Sequence, residues 1–362
     1  MPPAFSSLRQ ASAFALLLLV VLLSPWLVGR WGLPSRDQIY SSMSWRTGGF
    51  PYIHQQIFQE KGDIDMAFIG SSHMGNDIDT PYVQQQLSAK LGRTATVISL
   101  SWVNSGLEAD YIIARDLLAH RKVRLLVFYD DRGDNVPHLT GWRWFRFGDD
   151  APELAGLPFH FQFTYYYGAI LGLPRNLLND LRPNLDLAPP AYLFHLRFPQ
   201  ADFIPERLGT FTSRAGYINR PDLFAPYTPT TSATPSDVVV YGPDTHDDFT
   251  FADTPAAPLQ LHFAQKFLAL ARGHSTPLAC LNLPTISNEH DASIHEGRLW
   301  LDVFQGSTPL LGIAPARLFA GLGEDDIRKL YQDPVHFNQN GQAYFTRLIT
   351  PQLIDLYEQA NP

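Results

Sequence analysis

The chain carries a single cysteine, Cys280, among its 362 residues. An intrachain disulfide is therefore excluded, and cysteine usage gives no signal for the compartment. Cys280 lies in the apolar run 278–283, where a buried, inert thiol is expected rather than a nucleophile. Charge is also scarce: Asp, Glu, Lys and Arg make up 17% of the residues, the net charge is -8, and no run of Lys or Arg forms a stripe. A nucleic-acid partner is not expected of such a surface. There is no Gly-rich phosphate-binding loop and no Cys/His zinc spacing. The acids Asp130, Asp131 and Asp134 cluster after an apolar run but have no histidine at ligand spacing, so a solvated loop or a pairing with Arg132 is expected there. Neither a metal nor a cofactor is expected.

What is present points to a folded protein. Hydrophobic residues reach 45% and aromatics 13%, the opposite of a disordered composition, and 29 prolines imply long, punctuated loops. The length allows one large domain with an insertion. No charged residue occurs between Arg9 and Arg30, and residues 13–28 are almost wholly apolar. That run only just reaches the ~20 residues needed to cross the hydrocarbon as a helix. A core helix would rarely be leucine-rich on every face, and Ser24-Pro25-Trp26-Leu27-Val28-Gly29-Arg30 offers no clean small-x-small cleavage site. An uncleaved anchor is expected, with Trp26 and Trp31 at headgroup level and the remainder exported.

Residues 31–62 read as a linker and lead-in, and residues 63–362 as the main domain. There, short apolar strands alternate with amphipathic helices. Asp65-Met66-Ala67-Phe68-Ile69 is a strand, residues 81–91 a helix started by Asp79-Thr80-Pro81, residues 96–100 a strand, residues 107–120 a helix and residues 123–129 a third strand. Such alternation implies a parallel sheet covered on both faces. From 137 to 254 the pattern breaks into Pro-rich and aromatic stretches, including 142–147 and 161–167, and an inserted cap is expected. The aromatic runs read more naturally as cap core than as a sugar platform. The alternation resumes with a helix over 258–272, a strand over 278–283 and a terminal helix after Asn340-Gly341, which Pro351 kinks or restarts.

Ligands of open parallel sheets bind at the carboxyl ends of the strands. That rule selects the turn Gly70-Ser71-Ser72-His73, the segment 99–106 and the segment 130–135. The nucleophile elbow of α/β-hydrolases is absent, because in Gly70-Ser71-Ser72-His73-Met74-Gly75 the second glycine comes one residue too late. Ser72 would still sit where a nucleophile belongs, and a serine needs a base. Asp333-Pro334-Val335-His336 offers one, since an Asp three residues before a His can hydrogen-bond its ring and fix the tautomer. The bland readings are a turn-capping Ser72, an Asp333 that merely caps a helix, and a surface His336.

These blocks resemble the SGNH (GDSL-like) hydrolase superfamily. Phe68-Ile69-Gly70-Ser71-Ser72 is similar to its first block, with Ser71 in the Asp position, and Asp333-Pro334-Val335-His336 with Gly341 is similar to its last. The second block falls at 99–106 and the third at Gly133-Asp134-Asn135, where Val136 replaces the final Asp. The resemblance implies a three-layer, flavodoxin-like α/β fold with a large inserted cap and an N-terminal transmembrane helix. It implies Ser72, His336 and Asp333 as nucleophile, base and orienting acid. It gives Ser101, Gly106 and Asn135 as oxyanion donors beside the N–H of Ser72, with Asn104 a rival to Asn135. His73 adjoins the nucleophile and is an alternative base; by position it, Asn104, Asp130 and Asp131 are expected as pocket residues. Anchored relatives with Gly-Ser-Ser acylate cell-wall or secreted polymers. The expectation is therefore a periplasmic, inner-membrane O-acetyltransferase acting on an exported polysaccharide, with a multispanning membrane acyltransferase as donor. A deacetylase with the same triad and a non-catalytic carbohydrate-binding subunit are the alternatives.

Overall fold

The computed structural model describes residues 5–31, 35–41, 50–102, 106–129, 137, 150–181 and 226–362. The chain divides into two compact units, residues 1–43 with 137–187 and residues 44–136 with 188–362.

The first unit is helical. Helix α1, Leu8–Arg30, is capped by Ser7, whose side chain accepts from Gln10 N–H. Its 23 residues are almost entirely exposed and have a mean hydropathy of 2.4 over the most apolar window. Helix α2, Arg36–Ser41, is tied down by an ion pair from Arg36 to the buried Asp150 at 3.0 Å.

The second unit is a mixed α/β domain. Helix α3, Phe50–His54, runs into a π-turn over Gln55–Gln59. Strand β1, Met66–Ser71, leads directly into α4, Ser72–Asp77, and α5, Thr80–Leu91, follows. Strand β2, Val97–Trp102, helix α6, Leu107–His120, and strand β3, Leu126–Phe128, complete the N-terminal half. Back in the first unit, α7, Phe159–Leu181, is the long helix of the region expected as a cap. The second unit resumes with β4, Val239–Val240, β5, Phe249–Phe251, α8, Pro258–Gly273, β6, Leu278–Leu281, β7, Ile294–Glu296, and β8, Leu310–Gly312. Two short helices, α9, Pro315–Leu318, and α10, Glu324–Arg328, precede the terminal α11, Gln339–Ala360.

The main sheet has the order β2-β1-β3-β6-β8-β4, parallel except for β4 at one edge, and β5 pairs with β7 separately. The strands are short apolar runs because both sheet faces are covered; all six residues of β1 are buried. From β1 the chain crosses first to β2 on one side and then to β3 on the other. That reversal opens a crevice at the carboxyl ends of β1 and β3.

Several boundaries differ from those read in the sequence. Residues 50–59 are helical, with Ile53 and Ile57 in the core, because an apolar face follows the Pro-Gly-rich lead-in. Residues 150–181 group with the N-terminal helix, while the segment from 226 belongs to the α/β unit and supplies β4. Pro351 sits within one continuous helix. The aromatic run 142–147 lies outside the described residues.

Candidate active site

Strand β1 and helix α4 meet without a loop. A β-carbon on Gly70 would fall 2.7 Å from the Tyr129 ring and 3.1 Å from Met74, so only glycine admits that ring against the strand end. Tyr129 OH bonds Ser71 Oγ, and Ser71 Oγ in turn accepts from His73 N–H. Asn76 Nδ2 donates to Ser72 O at 2.8 Å. The turn that presents Ser72 is thus held by its neighbours on both sides, which frees the Ser72 hydroxyl itself.

Ser72 Oγ lies 2.8 Å from His336 Nε2. The other ring nitrogen, His336 Nδ1, lies 2.7 Å from Asp333 Oδ2. The network assigns the proton to Nδ1, leaving the Nε2 lone pair for the serine O–H. Asp333 Oδ1 is occupied separately, accepting from the backbone N–H groups of Val335 and His336, both at 2.8 Å. One oxygen shapes the turn and the other orients the ring. Asp333 does not cap a helix; Asn338 caps α11, accepting from Asn340 and Gly341 N–H. Gly341 is required there because a β-carbon would collide with Leu330 O and the Phe337 ring.

The histidine loop is fastened to α4 through a buried carboxylate. Phe337 N–H donates to Asp77 Oδ1 at 2.9 Å, and Asp77 is fully buried. Asp79 N–H reaches Thr346 Oγ1 at 2.9 Å, and Gln342 Nε2 reaches Ile78 O at 3.1 Å. These contacts bring positions 72 and 336 together across 264 residues of chain. Burial opposes protonation of His336, but the hydrogen bond and charge of Asp333, aided by the charge of Asp77, outweigh it and hold the pKa above the ordinary histidine value. Burial likewise opposes ionisation of Asp333, and its bonds to His336 and the turn N–H groups hold that carboxyl below the ordinary range.

His73 is buried, with Nε2 2.8 Å from Asp77 Oδ2, close but not aligned as a hydrogen bond. Its ring centroid is 5.9 Å from that of His336 and 5.7 Å from that of Tyr129. His73 and Tyr129 border a pocket of about 140 Å³ with Asn282, Pro284, Thr285 and His295 among its walls. Asn282 Nδ2 donates to Glu296 Oε1 at 2.6 Å on the pocket floor.

Ser101 pairs with Gly70 across β1 and β2, and a β-carbon on Gly75 would lie 3.0 Å from Ser101 Cβ, so Ser101 backs the serine turn. Gly106 instead caps α6 amid a buried group formed by Glu108 and Gln260, with Gln260 Oε1 accepting from Leu107 N–H. Asn104, Asp130, Asp131 and Asn135 lie outside the described residues. Sequence reasoning missed Asp77, Tyr129 and Asn282. Asp77 was signalled by its i, i+4 spacing from His73, which places both on one helix face. Tyr129 and Asn282 each directly follow a parallel strand, where ligands bind.

No protein-family model, no curated protein and no solved structure matches the chain.

Proposed function

We propose that the chain is a serine acyl-transfer enzyme of the SGNH type, anchored to the membrane by α1 with its α/β unit exported. The observation that carries the reading is the relay Ser72–His336–Asp333, with links of 2.8 and 2.7 Å at the carboxyl end of β1. Counted among parallel strands alone, β1, β2, β3, β6 and β8 stand in the order second, first, third, fourth, fifth, the doubly wound order of flavodoxin-like sheets. This supports a flavodoxin-like assignment and the crevice as the reaction site.

In the proposed reaction Ser72 Oγ forms a bond to the acyl carbon while its proton passes to His336 Nε2. The leaving group takes that proton as it departs, and Asp333 stabilises the imidazolium in the interval. The Ser72 N–H, with Asn135 and an N–H from 99–106 as the resemblance implies, holds the oxyanion; each such donor is worth about 3–4 kcal/mol to the transition state. A second hydroxyl then loses its proton to His336 and attacks the acyl-serine; the bond to Ser72 Oγ breaks as His336 returns the proton to that oxygen. The acceptor is proposed to be a sugar hydroxyl of an exported polysaccharide, with acetyl delivered by a multispanning membrane acyltransferase.

The test is acyl capture. The purified chain is given an activated acetyl ester with and without an oligosaccharide acceptor, and acetyl-Ser72 and acetylated sugar are measured by mass. Acetyl-Ser72 followed by acetylated sugar supports transfer. Free acetate alone, with stripping of an acetylated polymer, replaces it with esterase action. Sugar binding without acyl-serine replaces it with a binding role.

A further inference from the structure

Helix α7 is apolar on two faces. Phe161, Tyr165 and Ala169 are buried. On another face Phe159, Phe163, Tyr167 and Leu171, at four-residue steps, are 78%, 57%, 50% and 52% exposed. Their rings follow one another along the helix, with centroids 6.2 Å apart for Phe159 and Phe163 and 6.5 Å for Phe163 and Tyr167. No Asp, Glu, Lys or Arg occurs from Phe159 to Pro174. An exposed apolar stripe of this length, without a charge along it, marks a surface that meets another molecule or lipid.

The neighbour of α7 indicates which. Helix α7 packs against α1 within the same unit. The two buried residues of α1, Pro25 and Gly29, both lie near its C-terminal end, and α7 buries Gly168 and Gly172. Glycines such as Gly29, Gly168 and Gly172, buried on paired helices, permit the close backbone approach common in lipid-embedded packing. That end of α1 also carries exposed Trp26 and Trp31, and Arg30 lies over the Trp26 ring at 5.8 Å. Trp, Tyr and Arg gather at the headgroup level of a bilayer.

We infer that α7 is a second membrane contact: an interfacial helix whose Phe159-Phe163-Tyr167-Leu171 stripe enters the headgroup–acyl boundary beside the emerging end of α1. The partner is the lipid bilayer. Aromatic content, and packing against a helix whose apolar side chains are largely exposed, fit that occupant. The inference rests on α1 spanning the membrane and is independent of the serine chemistry.

The experiment uses the full chain with Cys280→Ser, reconstituted in vesicles of phosphatidylcholine and phosphatidylglycerol. Single variants Phe163→Cys, Tyr167→Cys, Leu18→Cys and Asp247→Cys carry an environment-sensitive fluorophore, and lipids with a spin label at a shallow or a deep acyl carbon act as quenchers. The stripe labels are expected to lose about twofold in emission to the shallow quencher and less to the deep one. Leu18 should respond to the deep quencher and Asp247 to neither. Quenching at Leu18 without quenching at 163 and 167 overturns the inference while leaving the anchor intact. Absence of quenching at Leu18 removes the anchor reading itself. Stripe labels that are shielded but unquenched, or that respond only to added polysaccharide or to protein concentration, assign the stripe to sugar or to a second copy and overturn it equally.

Discussion

The two ends of β1 carry comparable polar clusters and differ in what is left over. At the start, Asp65 is buried and closed in: Arg93 donates to both its oxygens at 2.9 and 2.5 Å, Thr96 N–H at 2.9 Å and Tyr357 O–H at 2.8 Å. Both oxygens of that carboxylate are engaged by the fold itself, which marks a structural role. At the far end Ser71, Asn76 and Asp77 are similarly engaged, but they hold Ser72 against His336, next to His73, which borders a pocket. Polar burial alone therefore does not define a site. What separates the ends is a hydroxyl whose partner is a base rather than a backbone group, with space beside it.

The sharpest way to break the contrast is Ser72→Ala. If the proposed serine chemistry holds, acyl-enzyme formation and polymer acylation should fall by about 10³-fold or more, since loss of the nucleophile leaves only binding and oxyanion catalysis. The melting temperature should barely move, because Ser72 is partly exposed and its own backbone keeps the Asn76 bond. Retained acylation would reduce the carboxyl end of β1 to a structural cluster like the other.

Asp333→Asn should cost somewhat less, about 10²–10⁴-fold, because the ring loses its orienting charge. The sign of the pH effect is fixed by the geometry. Asp333 raises the His336 pKa, and the base must be neutral, so the wild-type rate should reach half its plateau above the ordinary histidine value of about 6.5. In Asp333→Asn that midpoint should move to lower pH while the plateau drops. An unchanged midpoint in a pH–rate profile would detach Asp333 from His336.

The far end of β1 is largely legible in the sequence; the start is not. Alternating apolar strands and amphipathic helices carried the parallel sheet, since both periods are local; the helix at 107–120 has the bounds read for it. Ser72, Asp333 and His336 stood out because each sits in a short block with its own turn chemistry. The pairing of Asp77 with the histidine loop was not legible. It joins Asp77 to Phe337 N–H across 260 residues, and nothing local in either segment marks such a bond. The grouping of 150–181 with α1 was hidden for the same reason: both helices are apolar, but periodicity does not name the partner of an apolar face. Edge strand β4, two residues long, is below the length at which alternation can be seen.

A smaller effect would sharpen the comparison from inside the site. Asp77→Asn keeps an acceptor for Phe337 N–H but removes the charge that helps raise the His336 pKa. Activity should fall by about three- to tenfold, with a midpoint shift in the same direction as in Asp333→Asn and smaller. Asp77→Ala also orphans the Phe337 N–H, which adds about 1–3 kcal/mol of destabilisation. Should the conservative variant match the alanine variant in both rate and melting temperature, Asp77 would serve the fold alone, as Asp65 does.

The smallest expected effect on activity belongs to Asp65 itself, and it tests the other half of the contrast. Asp65→Ala leaves Arg93 without its partner and strips acceptors from Thr96 N–H and Tyr357 O–H. Because Arg93 is half exposed and can turn to water, the loss should be about 2–3 kcal/mol rather than the larger cost of a fully buried pair. Burial opposes ionisation of Asp65, but Arg93, Thr96 N–H and Tyr357 outweigh it and hold the carboxyl below its ordinary value. A depressed carboxyl pKa contributes stability above the unfolded pKa of about 3.9 and loses it as pH falls through the folded value. Urea unfolding of Asp65→Asn should therefore show the same deficit at pH 7 as at pH 5, and a smaller one below pH 3 as the wild type surrenders the difference. Turnover per folded molecule should stay within about twofold of wild type, since Asp65 is the full length of β1 away from Ser72, ~20 Å at ~3.3 Å per residue. A large turnover loss at unchanged stability would mean that the strand transmits its start to its end, and the two clusters would have to be treated as one.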